Sequence, residues 1–530
     1  MKPLIVDALA SGKGERIATR DVIGAGPRAV AGVLEAHGLA PRVLPVEELL
    51  KSRGYPEGYD LLLISGMTSD LRAVQRAAKL WSTRHDGPMI IGGPAAGEPE
   101  RVIGRTGAMA AILGEGEDAL SELLRTGLDP ERMGEVRGLA YRRGEETVVN
   151  PLRPVQGREV FERYPASTRV VGDYPLHHAA RVYVEVVRGC SNYNRARVGP
   201  LGEQCTLCGG CTDGALTERY DCPAGIPPGC GYCSVPSLYG PPRSKAAALV
   251  RGEVEGLVRR GVHRVVLSAP GFLDYGRDLL VDPEPLTDPR SPEPNYEALE
   301  ELFESLYSIR EVSDGSVSLM IENIKASLVT ERAAAVLGRY LEGTPVSIGF
   351  ETGCGDHSRL IGRPDTPAEC HGAVRRLRRA GLKPYVYFIH GLPGQTEETA
   401  DRTVAAIGQA AREGAERVIL YRFMSLPWSA FQDCPSGPPA AKDRRSGRIR
   451  EAARATNRAR KEAAVGTRLR VVTAEPYDRD PRLTVAYPMK HGPVVLVEGL
   501  EGSVGEVLEV AVTSVASERA VRGRPADAMF

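Results

Sequence analysis

Apolar and polar positions alternate along this chain in three different rhythms. Over the first third, short apolar runs at Leu4–Val6, Arg42–Val46, Tyr59–Ile64, Pro88–Ile91 and Ala110–Leu113 predict strands. Between them, Pro27–His37 and Asp70–Arg84 carry helical spacing, and a further helix follows Glu117. Strands alternating with helices predict a doubly wound parallel sheet. Such sheets take ligands at the carboxyl ends of their strands. There the sequence places Ser65-Gly66-Met67, Gly92-Gly93-Pro94 and Gly114-Glu115-Gly116-Glu117, turns whose glycines let a large flat ligand approach the backbone. In the middle, strands are predicted at Val182–Val187, Arg264–Ser268, Ser316–Ile321, Val346–Thr352, Tyr385–His390 and Val418–Phe423, with helical stretches between. After Gly466 the rhythm changes to strands at Leu469–Thr473, Leu483–Tyr487, Val494–Glu498 and Glu506–Val515, which predicts a small antiparallel barrel.

These rhythms divide the 530 residues into a domain over 1–155, a second over 175–440, a basic helical linker over 441–465 and a small β-barrel over 466–530. That is more than one core can serve. Lys plus Arg and Asp plus Glu both number 68, so the chain as a whole carries no polyanion-binding signature. The final barrel is not basic either: from Val465 to Phe530 there are eight Lys or Arg and nine Asp or Glu. The linker, with Arg444, Arg445, Arg448, Arg450, Arg454, Arg458, Arg460 and Lys461, is strongly positive, and it keeps RNA as a less favoured partner. The start, Lys2-Pro3-Leu4-Ile5-Val6-Asp7, opens as a strand rather than a leader peptide, and no apolar run approaches the ~20 residues of a membrane span. A cytoplasmic location is expected. In that reducing compartment clustered cysteines serve metals or redox chemistry sooner than disulfides.

Seven of the ten cysteines fall between Cys190 and Cys233. They are Arg188-Gly189-Cys190, Cys205-x-x-Cys208-x-x-Cys211, Cys222 and Gly229-Cys230-Gly231-Tyr232-Cys233. Soft thiolates at this density suit iron–sulfur or zinc sites. Cys190, Cys230 and Cys233 make one set, with Cys222, Cys230 and Cys233 as the rival triplet. On the first choice the 39 residues between Cys190 and Cys230, an insertion over 191–229, contain a complete four-thiolate set of their own: Cys205, Cys208, Cys211 and Cys222. This set suits a second iron–sulfur cluster, a single iron or a structural zinc. A metal would fold a Gly- and Pro-rich loop that has little apolar content.

Arg188-Gly189-Cys190 and Cys230-Gly231-Tyr232-Cys233 resemble the two halves of the radical-SAM signature, which normally sit three residues apart. The order of later segments is similar to that family too: Ala269-Pro270-Gly271, Glu322-Asn323-Ile324-Lys325, Glu351-Thr352-Gly353, Leu360-Ile361-Gly362-Arg363-Pro364, Gly391-Leu392-Pro393-Gly394 and Ser425-Leu426-Pro427. The resemblance implies a partial (β/α)6 barrel over about 175–435, with chemistry at its strand ends. It implies a 4Fe-4S cluster on Cys190, Cys230 and Cys233, with one iron open to S-adenosylmethionine. Ser268 and Glu351 would then meet the ribose or methionine end of that cofactor, and Gly391 to Pro393 and the Tyr232 backbone its adenine. His390 is a candidate proton donor. The N-terminal sheet is similar to the cobalamin-binding domain that precedes many radical-SAM cores, so Ser65, Gly66 and Met67 would face the corrin, and Gly92, Gly93, Gly114 and Glu115 would border its nucleotide tail. No Asp-x-His-x-x-Gly motif occurs, which implies cobalt without a lower histidine.

Cobalamin plus radical-SAM implies methylation of an unactivated carbon. One S-adenosylmethionine methylates cobalt, and a second is cleaved to a 5′-deoxyadenosyl radical that takes hydrogen from the substrate. Arg188-Gly189-Cys190-Ser191-Asn192-Tyr193 and Ile226 to Pro236 look most like the methanogen enzymes that C-methylate a glutamine of methyl-coenzyme M reductase. This implies a protein substrate, the reductase alpha subunit, and a ferredoxin-like electron donor. RNA-modifying and archaeal lipid-modifying radical-SAM enzymes are the alternatives, and the small barrel resembles the TRAM domains of the former. An iron–sulfur electron-transfer protein is the non-enzyme alternative.

Overall fold

The computed structural model describes residues 1–16 and 19–526, so the last four residues of the barrel expected over 466–530 lie outside the described residues. The chain forms two compact units. One comprises Met1–Val184 with Ala248–Val262, the other Glu185–Ala247 with His263–Phe530.

The first unit is built on a sheet of β1 (Pro3–Asp7), β2 (Arg42–Pro45), β3 (Leu61–Ser65), β4 (Met89–Gly92), β5 (Ala110–Ile112), β6 (Leu139–Arg143) and β7 (Glu146–Val149). Its order is β2-β1-β3-β4-β5-β6-β7. The first five strands run parallel, as expected from their alternation with helices. β6 and β7 are an antiparallel hairpin added at one edge, which the sequence pattern did not predict. The inner strands are continuous apolar runs because helices cover both faces. Helix Leu71–Ser82 supplies one cover through Ala73, Val74, Ala77, Ala78 and Trp81, all buried. The Trp81 indole N–H donates to the Gly87 carbonyl at 2.8 Å, so this large ring is buried with its polar atom satisfied.

The second unit holds the strands of a partial (β/α) barrel. β8 (Arg264–Ser268) and β9 (Ser318–Ile321) pair in parallel. β10 (Asn323–Ile324), β11 (Pro345–Glu351), β12 (Lys383–His390) and β13 (Arg417–Arg422) form a second parallel run in that order. The first expected strand, found at Arg181–Glu185, straddles the division between the units. Along β12 burial alternates strictly: Pro384, Val386, Phe388 and His390 are buried, and Tyr385, Tyr387 and Ile389 are half-buried. Phe388 stacks on Phe350 of β11 with ring centroids 5.1 Å apart. Threonine N-caps start the helices that follow: Thr366 before Pro367–Arg379, with Glu369 completing a capping box, and Thr396 before Glu397–Arg412.

The C-terminal barrel closes with five strands, Arg468–Tyr477, Asp480–Pro488, Val494–Glu498, Val507–Val515 and Ala520–Pro525. Four were expected, all antiparallel. A ring of alternating strand directions cannot close on an odd number, so one pair must be parallel. That pair is Val494–Glu498 with Ala520–Pro525. Val471, Ala486, Val495, Val497, Val510, Val512 and Val521 fill its centre.

The basic linker is helix Arg444–Glu462, and most of its charge is used inside the fold. Arg448 pairs with Glu397 and Asp401, and Arg454 with Glu518. Arg460 donates to the carbonyls of Ala411 and Ala415 at 2.8 and 3.0 Å, where helix Glu397–Arg412 leaves acceptors unsatisfied. Asn457 exchanges hydrogen bonds with both backbone groups of Val418.

His491 ties the small barrel to β12, its Nδ1 lying 2.9 Å from the Tyr385 hydroxyl. Burial, reinforced by Lys383, Arg417 and Arg378 against the pull of Glu416, pushes it down to about 4 from the usual 6.5. Between those values the unfolded chain binds the proton and the folded chain does not. Stability from this site is therefore full above about 6.5 and is lost as pH falls toward 4. His491→Gln is expected to flatten that acid limb, as checked by denaturant midpoints measured across this window.

Candidate active site

The two halves of the cysteine signature meet despite the insertion. Val187–Arg188 pairs antiparallel with Arg243–Ser244, and the Cys190 N–H donates to the Gly240 carbonyl at 3.0 Å. Gly189 sits at φ +88, and a Cβ there would lie 2.2 Å from the Pro241 oxygen, so the turn into Cys190 requires glycine. Asn192 then bridges the signature. Its backbone N–H points to Cys190 Sγ at 3.5 Å, and its side-chain amide donates to Cys230 Sγ at 3.3 Å and the Gly362 carbonyl at 3.0 Å. The Gly229 N–H donates to Asn194 O at 2.8 Å, which pinches the inserted loop shut at its base.

Cys230 to Cys233 form a tight turn closed by a 2.8 Å backbone hydrogen bond. Gly231 in this turn exchanges backbone hydrogen bonds of 2.8 Å with Ile361 and Phe431. A Cβ on Gly231 would sit 2.4 Å from the Phe431 ring. Gly231→Ala is therefore expected to cost about 1–3 kcal/mol by overpacking, seen as a lower denaturation midpoint. Burial raises the Cys190 and Cys233 thiols, Cys233 to about 12. All three cysteines are half-buried, and Asn192 and the Cys230–Cys233 turn bring them together. Any metal there must displace their protons.

Arg363 is the hub beside them. Its guanidinium donates to Cys230 Sγ at 3.7 Å, the Tyr232 hydroxyl at 3.4 Å, Asp365 at 3.1 Å and the Gly349 carbonyl, and it lies 4.0 Å from Glu351. Glu351 ends β11 at φ +62, a backbone region costly for a residue with a side chain. The strand bulges there, between Gly349 and Glu351. Burial raises the Glu351 carboxyl, while Arg363 and a hydrogen bond from Tyr232 hold it down. Ser268, at the end of β8, donates to Glu322, just past β9, at 2.5 Å. Gly391, at φ +75, packs on Gly437, and a Cβ on it would lie 2.7 Å from the Gly437 Cα. Pro393 O is 2.9 Å from His357 Nε2. The 391–395 turn is thus braced from two sides. His390 is buried, and among the described residues its Nδ1 has no hydrogen-bond partner. Burial and Arg422 hold it below its usual range. Neither Asn192 nor Arg363 is marked by spacing as a site residue, although Asn192 follows Cys190 by two residues and Arg363 lies in Leu360-Ile361-Gly362-Arg363-Pro364.

Inside the inserted loop, Cys205, Cys208, Cys211 and Cys222 line one small pocket with Arg195, Arg197 and Asp221. The Arg195 guanidinium also donates to the Arg219 and Tyr220 carbonyls at 2.9 and 3.0 Å. Burial lowers it, while Cys211 and Cys222 act in the opposite sense. Among the described residues no three His, Cys, Asp or Glu side chains converge as a single ion requires. A cubic cluster makes a different demand, since each thiolate binds a different corner iron. The shared neighbourhood of Cys190, Cys230 and Cys233 fits that donor set.

In the first unit, register puts Asp7, Ser65 and Gly92 in one row at the carboxyl edge. Buried Asp70 accepts from the N–H groups of Ala10, Gly12 and Met67 at 2.8, 2.7 and 3.0 Å, which fixes two of the edge loops to each other. Gly66 and Gly93 are in mutual backbone contact, with a Cβ on Gly93 only 2.8 Å from Gly66 O. A Cβ on Gly92 would meet nothing within 4 Å, and Met67 beside it is 40% exposed. Gly114 turns the chain at φ +70, and Glu115 after it is buried. The edge is therefore open at Gly92. The edge loops 8–16, 66–70, 93–97 and 114–117 contain no histidine.

Part of the chain is a radical-SAM domain. Residues 222–407 match the family model of the radical SAM superfamily, a span that begins at Cys222 and leaves out Cys190. Along its whole length the chain belongs to the family of an uncharacterized protein of Methanopyrus kandleri, to which it is 45% identical over 98% of this chain and 95% of that one. An uncharacterized protein of Methanocaldococcus jannaschii is 39% identical over 99% of this chain and 98% of that one. Among solved structures, the radical S-adenosylmethionine methyltransferase TsrM of Kitasatospora setae, with cobalamin and a 4Fe-4S cluster bound, has the same fold. It covers 82% of this chain and 77% of its own, at TM-score 0.56 and 15% identity. Among the described residues no helix is long and apolar enough to cross a membrane.

Proposed function

We propose that this protein is a cobalamin-dependent radical-SAM C-methyltransferase that methylates an unactivated carbon. One observation carries the reading: Asn192 bridges Cys190 and Cys230 across the inserted loop, and Cys233 shares one tight turn with Cys230. Cluster, S-adenosylmethionine and cobalamin, when bound, supply a 5′-deoxyadenosyl radical and a transferable methyl group. The chain's own part is to hold, orient and enclose them. Cys190, Cys230 and Cys233 would hold the cluster, which would supply the electron that cleaves S-adenosylmethionine. Arg363 and Asn192 fix Cys230. Glu351 and Ser268 take the methionine or ribose end, and Gly391 to Pro393 and Tyr232 border the adenine. In the first unit Ser65 to Met67 face the corrin, with Gly92, Gly93, Gly114 and Glu115 along its nucleotide tail.

The substrate of this reading is a protein, a glutamine side chain of methyl-coenzyme M reductase, with a ferredoxin-like donor supplying electrons. Full-length relatives in two methanogens support it. So does the internal pairing of the basic helix, which spends the charge that an RNA surface would use. The test is anaerobic incubation of cluster- and cobalamin-loaded protein with S-adenosylmethionine, a low-potential reductant and a peptide spanning that glutamine. A mass gain of one methyl group with formation of 5′-deoxyadenosine is expected. Formation of 5′-deoxyadenosine with no methylated peptide would overturn the substrate, and absence of both would overturn the reaction.

The same reading gives Cys205, Cys208, Cys211 and Cys222, which line one pocket, a second iron–sulfur cluster with each thiolate on a different iron, which would stiffen the inserted loop and whose negative charge Arg195 would offset. Replacing Cys205, Cys208 and Cys211 together by serine is expected to remove one cluster's worth of iron by elemental analysis. Unchanged iron content would refute the second site.

A further inference from the structure

Behind Cys190 lies a buried ionic network that the proposed chemistry leaves unused. Lys325 is 7% exposed, and its ammonium pairs with Asp274. Asp274 is fully buried and also pairs with Arg277 at 2.6 Å. Both its oxygens accept from the hydroxyl of Ser191, the residue after Cys190, at 3.0 and 3.1 Å. Arg277 is held further by the carbonyls of Pro292 and Asp288 at 2.8 and 3.2 Å. A Cβ on Gly271 would lie 2.7 Å from Lys325 Nζ, so the turn after β8 leaves room for the ammonium only because it is glycine.

Two cations against one carboxylate leave this buried cluster with a net positive charge, and an uncompensated buried charge is costly. Ser191, the residue after Cys190, ties the Asp274–Lys325 pair to the Cys190 turn through its hydroxyl. A thiolate ligand at Cys190 would add negative charge beside this pair. The network is thus prepared for negative charge at that one ligand.

We propose that Lys325, fixed by Asp274, Arg277 and Ser191, is a positioning residue that raises the reduction potential of the iron–sulfur cluster through Cys190. The proposal rests on Cys190 being a cluster ligand. Reduction places one electron from a low-potential donor on the cluster and makes its charge one unit more negative. A fixed cation in a dry, low-dielectric setting favours that state, and an anion opposes it.

The experiment is a potentiometric titration of the anaerobically reconstituted full chain without S-adenosylmethionine, with the reduced-cluster EPR signal as readout. Lys325→Met is expected to shift the midpoint negative by a tenfold change in the reduced-to-oxidised ratio at fixed potential, about 59 mV for one electron. Asp274→Asn is expected to shift it positive, and Lys325→Arg to stay near the parent value. Unmoved midpoints in both Lys325→Met and Asp274→Asn, or shifts of the same sign, would overturn the proposal. If Lys325→Met fails to hold its iron, Asp274→Asn decides: a positive shift supports the proposal, and an unchanged or negative one overturns it. Cys190→Ala separates the two layers. A normal cluster in that variant would remove the cluster reading itself, whereas a lost cluster with unmoved midpoints in the other variants removes this proposal alone.

Discussion

Replacing Cys230 by alanine is expected to reduce S-adenosylmethionine cleavage to background. Cys230 is the most connected of the three thiols, taking the Asn192 amide and the Arg363 guanidinium at 3.3 and 3.7 Å. Its loss removes one cluster ligand. It also strips partners from two buried donors, at about 1–3 kcal/mol for each group left unsatisfied. The measurement is 5′-deoxyadenosine formed by the anaerobically reconstituted, reduced protein, quantified by mass spectrometry. Cys354→Ala is the control: Cys354 is a buried free cysteine that N-caps helix Gly355–Leu360 and lies outside the proposed cluster set, and that variant should keep its cleavage. Full cleavage by Cys230→Ala would mean that the cluster sits elsewhere.

The largest expected loss of stability comes from Arg363→Met. Asp365 and Glu351 are 3% and 9% exposed, and both depend on this guanidinium. Breaking a buried pair by removing one partner costs about 3–5 kcal/mol, because the other charge stays buried. Arg363→Lys keeps the charge but loses the fork that reaches Cys230, Tyr232, Asp365 and the Gly349 carbonyl together, so partial recovery is expected. The chain has only two tryptophans, and Trp428 lies in the second unit with Arg363. Its fluorescence in a Trp81→Phe background reports that unit's denaturant midpoint directly. A midpoint equal to that of the parent would show that Arg363 is dispensable to the packing.

How much of this was legible in the sequence follows the range of the interactions. The five parallel strands of the first unit were, because each is a local apolar run, as Leu61–Ile64 is before Ser65-Gly66. The density of cysteines between Cys190 and Cys233 was legible, but the choice of Cys190 over Cys222 as partner of Cys230 and Cys233 rested on the family resemblance, because the spacing departs from the usual one. The edge hairpin Leu139–Val149 was not: its outer residues Arg142, Arg143 and Glu146 are exposed, and its apolar pattern is short. The parallel closure of the C-terminal barrel is a property of the whole ring and leaves no local mark. The linker helix looked like a solvated basic stripe because its partners Glu397, Asp401 and Glu518 are remote in sequence. For the same reason the charges around the signature stayed hidden. Lys325 meets Asp274 across 51 residues, and Arg363 meets Cys230 across 133. No periodicity records such pairs.

The central claim is that Cys190, and not Cys222, completes the triplet with Cys230 and Cys233. The two thiols occupy different surroundings: Cys190 is coupled to Cys230 and Cys233, and Cys222 to Arg195. The most direct measurement is the EPR spectrum of dithionite-reduced, reconstituted Cys190→Ala and Cys222→Ala, each with and without S-adenosylmethionine. Cys222→Ala should retain a 4Fe-4S signal that changes on adding S-adenosylmethionine, and Cys190→Ala should lose it. The reverse pattern, a responsive signal in Cys190→Ala and none in Cys222→Ala, would contradict the account.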